Sequence, residues 1–167
     1  MILACLGHDH AYEMENTARI FFPRAEINIV KNNSITGENT IITTTAAGQV
    51  SVRVCLDGFD RELSEPDAGN AEHRLAVLLY RLLCEYTGRR PAWGILTGVR
   101  PVRLCHRHLQ GGKTLGQSAR ILEQDYLVLP GKARLATETL RHELPVLERA
   151  LPGHFGLYVA VPFCPTR

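Results

Sequence analysis

The spacing of apolar residues changes period once along the chain, near residue 70, and that change points to an α+β fold. Before it, residues 49–56 alternate. Val50, Val52, Val54 and Leu56 face one way, and Gln49, Ser51, Arg53 and Cys55 the other. Residues 40–46 supply the partner arm of a hairpin, with Ala47-Gly48 as its turn. After the change, Ala71, Leu75, Leu78, Leu79, Leu82, Leu83 and Tyr86 recur at helical spacing until Gly88 and Pro91 stop the pattern.

The flanking segments extend this reading. Residues 2–6 form a short apolar run suited to a buried strand. Ala11, Met14, Ala18, Phe21 and Phe22 trace a helix that Pro23 ends, and Ile27, Ile29 and Val30 suggest a second strand. Residues 1–62 therefore read as a small β-α-β-β unit with one helix on a sheet face. Residues 57–70, rich in Asp, Gly, Ser, Pro and Asn, read as a loop or linker. A helical region follows over residues 70–152. It holds a helix from Pro101 to His108 closed by Gly111-Gly112, a helix capped by Thr114, and a last helix marked by Ala133, Ala136, Leu140, Leu144 and Leu147 despite Pro145. Residues 153–167 return to strand, with Leu157, Val159, Val161 and Phe163 alternating with Tyr158, Ala160 and Pro162.

Composition narrows the function classes. With 167 residues there is room for one core or two small ones. A net charge of +2, without a block of like charges, argues against nucleic acid as a partner. The longest apolar runs are too short for a membrane span, and the first residues lack the basic start of a signal peptide. Five widely spaced cysteines, an odd number, argue against a disulfide framework and for a reducing cytoplasm.

Two motifs with familiar spacing have ordinary explanations. Gly112-Lys113-Thr114 is similar to the end of a phosphate-binding loop. Arg107 stands where that loop needs its first glycine, however, and no apolar strand precedes it. The pairs His8/His10 and His106/His108 lack the third ligand of a zinc site and read as structural histidines. The stretch Trp93-Gly94-Ile95-Leu96-Thr97-Gly98-Val99-Arg100-Pro101 is more informative. It holds the one tryptophan and two glycines, and Arg100 with Arg103 just beyond is suited to gripping carboxylates. The alternative is a packed interdomain loop whose arginines pair with acidic residues of the same chain.

The last residues, Tyr158-Val159-Ala160-Val161-Pro162-Phe163-Cys164-Pro165-Thr166-Arg167, resemble the opening strand and cluster loop of radical-SAM enzymes of the oxygen-independent coproporphyrinogen dehydrogenase type. In that family Tyr-x-His-Ile-Pro-Phe-Cys leads into Cys-x3-Cys-x2-Cys. Here Ala160 replaces the histidine, and the sequence stops inside the cysteine motif. The Pro-Thr-Arg spacer, residues 93–101, the Gly7-His8 dipeptide and the Phe21-Phe22-Pro23 helix end resemble one branch, which carries an extra N-terminal region.

The resemblance implies a parent enzyme that decarboxylates a tetrapyrrole substrate, coproporphyrinogen III, oxidatively to protoporphyrinogen IX in anaerobic haem biosynthesis. It implies a [4Fe–4S] cluster and S-adenosylmethionine as cofactors, with Cys164 the first cluster cysteine. No catalytic residue is expected in this chain; Tyr158, in the strand that carries the resemblance, and Arg100 and Arg103, by their carboxylate-gripping chemistry, are expected to bind cofactor or substrate. The terminal strand would begin a radical-SAM barrel, the chain's missing partner; by itself the chain is expected to hold no cluster and to be inactive. Left without neighbours, that strand would lie across the helical region or pair with a second copy. Two other functions stay open: a related haem-handling protein, and an independent protein- or ligand-binding module fused to the barrel.

Overall fold

A computed structural model describes residues 1–33, 35, 37–149, 153, 155 and 157–160. In chain order the elements are β1 (Ile2–Leu6), α1 (Ala11–Phe21), β2 (Asn28–Lys31), β3 (Thr40–Ala46), β4 (Gln49–Leu56), β5 (Phe59–Pro66), α2 (Ala71–Thr87), α3 (Pro101–Gln110), α4 (Leu115–Gln124) and α5 (Pro130–Leu147). The fold is α+β, as the change of period requires.

The five strands form one mixed sheet in the order β2-β1-β3-β4-β5. β1 lies between β2 and β3 and runs parallel to both. The β3–β4 and β4–β5 pairs are antiparallel. Register puts Leu3 beside Ile41, Ile41 beside Val54 and Thr43 beside Val52. One sheet face is thus a continuous apolar surface, and α1 and α2 cover it with Met14, Ala18, Phe21, Leu75, Leu79 and Leu83.

Two expectations need correction. Residues 59–66, assigned to a linker, are strand β5. The strand escapes a hydrophobic reading because it is an edge strand with mostly exposed side chains. Main-chain pairing holds it, together with cross-strand contacts such as the two-point grip of Arg53 on Asp60, at 2.8 and 2.6 Å. Its turn, Asp57-Gly58, has positive φ at both residues, 46° and 79°, the conformation a tight hairpin of twisted strands demands. The second correction concerns the terminal strand. Residues 157–160 have no regular secondary structure and are exposed, because a strand needs a hydrogen-bonded neighbour and none lies beside them among the described residues. Positions 161–167, including the rest of that expected strand, fall outside the described residues.

The helix that follows residue 70 packs with the sheet, so the division between cores falls after α2. A second core gathers Leu104, Cys105, Leu122, Val128, Ala133, Ala136 and Leu140 between α3, α4 and α5. Alanines at 133 and 136 let α5 approach its neighbours closely. A capping box starts α4: the Gln117 amide donates to Thr114 Oγ1 at 3.1 Å, and the Thr114 amide donates to Gln117 Oε1 at 2.8 Å. Pro145 lies in the last turn of α5, where its missing N–H costs a single helical bond and the helix runs on to Leu147.

Candidate functional site

Residues 91–99 join the two cores. The Tyr80 hydroxyl of α2 donates to the Pro91 carbonyl at 2.7 Å. The Ile95 amide donates to the Tyr126 carbonyl at 3.0 Å, and the Leu129 amide to the Ala92 carbonyl at 3.0 Å. Trp93 packs on the second core with the Lys132 ammonium 5.4 Å from its ring centroid. Gly94, at φ +58°, lets the chain pass against residues 126 and 127; a Cβ there would fall on the Tyr126 carbonyl oxygen. The segment is therefore a packed junction. A cleft of about 760 Å³ opens beside it, where Ile95, Thr97 and Val99 face Tyr12, Glu72 and His73.

The junction ends at Arg100, which is the N-cap of α3 and makes no side-chain cap bond. Arg100 and Arg103 are both exposed and open onto a groove of about 450 Å³ between α3 and α5. Pro101, Val102, Leu140 and Leu147 provide its apolar lining, with His106 and Glu143 as the other polar groups. Among the described residues neither arginine has an ion pair or a side-chain hydrogen bond, whereas Arg19, Arg53, Arg74, Arg81 and Arg141 each hold a carboxylate. The loop is packed as one reading of the sequence expects, but these two arginines do not serve that packing. Glu143 and Leu147 were not legible as site residues, because only the packing of α5 on α3 brings them to the groove.

The remaining candidates separate. Tyr158 is 89% exposed, in the irregular stretch after α5. Cys164 lies outside the described residues. The His106/His108 pair diverges: His106 lines the groove, while His108 Nδ1 lies 2.9 Å from Ser118 Oγ on α4. His8 and His10 stack with ring centroids 5.5 Å apart, and both nitrogens of His8 are engaged. Its Nδ1 accepts from the His10 amide at 3.2 Å, and its Nε2 lies 3.2 Å from the Thr43 carbonyl oxygen and 3.0 Å from Thr43 Oγ1. The Thr43 hydroxyl itself donates to the Ala4 carbonyl, so Nε2 is the donor and the ring is neutral. Burial lowers its pKa.

Cys5, Cys84 and Cys105 have thiol pKa values raised by burial, which disfavours the thiolate a cluster needs. Among the described residues no three His, Cys, Asp or Glu side chains converge as a metal site.

No protein-family model matches the chain, and no solved structure matches it. It is 34% identical over 113 residues to the oxygen-independent coproporphyrinogen-III oxidase-like protein HemZ of Bacillus subtilis, a match that covers 65% of this chain and 22% of that protein. The chain thus spans about a fifth of the length of this curated relative. No helix among the described residues is long and apolar enough to cross a membrane. The resemblance carried by residues 93–101 and 158–167 agrees with this match, and the chain is similar in sequence to the oxygen-independent coproporphyrinogen-III oxidase-like proteins.

Proposed function

We propose that this chain is the accessory N-terminal part of a cytoplasmic enzyme that converts coproporphyrinogen III to protoporphyrinogen IX by oxidative decarboxylation without oxygen. The observation that carries the reading is the 34% identity to the HemZ protein over 65% of the chain. The motif at residues 93–101, packed as a junction rather than left as a simple linker, supports it. The parent would use a [4Fe–4S] cluster and S-adenosylmethionine, with Cys164 as one cluster ligand; such cofactors supply the radical chemistry, and the protein positions and shields. Tyr158 would stand next to the cluster-binding loop.

The test uses the full-length parent, purified anaerobically with its cluster restored and supplied with S-adenosylmethionine and an electron donor. The expected result is loss of two carboxyl groups from coproporphyrinogen III, read by chromatography of the oxidised porphyrins. A parent with a full cluster that leaves coproporphyrinogen III unchanged refutes the reading.

A further inference from the structure

We propose that the groove between α3 and α5 is a tetrapyrrole subsite, in which Arg100 and Arg103 grip propionates on one edge of the macrocycle. The inference rests on the function just proposed for its ligand class; the placement of the site rests on the groove itself.

Arg100, the extended N-cap of α3, and Arg103, in its first turn, both line this groove. Both guanidiniums are unpaired among the described residues, even though Glu143 lines the same groove. A guanidinium offers two parallel N–H donors that match a carboxylate, a grip lysine does not reproduce. The amides of Val102 and Arg103 are in the first turn of α3 and have no acceptor within the helix, which adds the positive end of the helix dipole at the same place. Between the arginines and α5, Val102, Leu140 and Leu147 form an apolar floor, and Leu147 is 48% exposed.

The ligand that fits is therefore apolar at its margin, with at least two carboxylates on one edge. Coproporphyrinogen III has four propionates around an apolar ring. The groove is open and would cover only one edge of such a ring, leaving the rest accessible to the remainder of the enzyme. Glu143 opposes a carboxylate at the α5 side, which directs the propionates toward the α3 side.

The experiment titrates coproporphyrin III, the air-stable oxidised form with the same four propionates, into the 167-residue chain and follows the porphyrin absorbance. Saturable one-to-one binding is expected for the native chain and for Arg120→Gln, whose arginine is exposed on α4. The Arg100→Gln/Arg103→Gln variant is expected to bind at least about tenfold more weakly, and Arg103→Gln alone to fall between. Urea midpoints matching the native chain establish that the variants are folded. If the double variant binds as tightly as the native chain, or if the native chain shows no saturable binding, the subsite is wrong. Either result leaves the proposed function standing, because turnover by the full-length parent decides that separately.

Discussion

Two glycines of the junction separate steric need from conformational need. Gly94 and Gly98 both have positive φ, 58° and 65°, but a Cβ on Gly98 meets nothing within 4 Å, whereas one on Gly94 strikes the Tyr126 carbonyl oxygen and comes within 2.6 Å of the Leu127 carbonyl carbon. Gly98→Ala should cost about 1 kcal/mol, the strain of a left-handed backbone with a side chain. Gly94→Ala has to displace the connection that holds Ile95 and Leu129, and should cost about 3 kcal/mol or more. Urea unfolding of the two variants measures the difference, and equal midpoints would mean that the junction yields easily. His8 gives a pH signature. Burial and the His10 amide both favour its neutral ring, so its folded pKa lies below the 6.5 of an exposed imidazole. The stability this contributes is present in full above pH 6.5 and is lost as pH falls through the lowered folded value. His108, also lowered by burial, adds in the same direction. The urea midpoint should therefore drop between about pH 7.5 and about pH 5.5, and the drop should be smaller in His8→Gln. An unchanged slope in that variant would remove His8 as a source.

Among the elements, α4 depends most visibly on a local signal. It has ten residues, of which only Ser118 and Leu122 are buried, and the reciprocal Thr114–Gln117 bonds fix its first turn. Thr114→Ala should destabilise the chain by about 1 kcal/mol and speed amide exchange in the first turn of α4 ahead of α2. Uniform exchange across both helices would mean that the cap is dispensable. The same signal made α4 legible in advance, as Pro101 and Gly111 did for α3 and the apolar stripe did for α2. β5 was not legible, because an exposed edge strand needs no apolar alternation; its one strong mark was the Asp57-Gly58 pair. The stretch at 157–160 alternates well but is irregular, because alternation gives a strand only where a neighbour can share its hydrogen bonds.

For the whole molecule, the consequential fact is that α2 covers the sheet. Leu75, Leu79 and Leu83 are fully buried on the face formed by Leu3, Val52 and Val54. A chain ended after Pro66 would expose the part of that face under α2 to water, while one ended after Gly88 keeps both covering helices. The longer piece should unfold cooperatively in urea and the shorter one should not; cooperative folding of residues 1–66 would show that α1 alone suffices. The sequence by itself determined the α+β class, nearly every helix and strand, the Thr114 cap, and the two arginines worth attention, because periodicity, turn residues and side-chain chemistry are local properties. Only the tertiary structure decided that α2 belongs with the sheet, that residues 91–99 are bonded to both cores, and that Arg100 and Arg103 border a groove with Leu140, Glu143 and Leu147. Those facts depend on which surfaces meet between segments separated along the chain, and apolar faces of similar pattern are interchangeable until packing selects their partners.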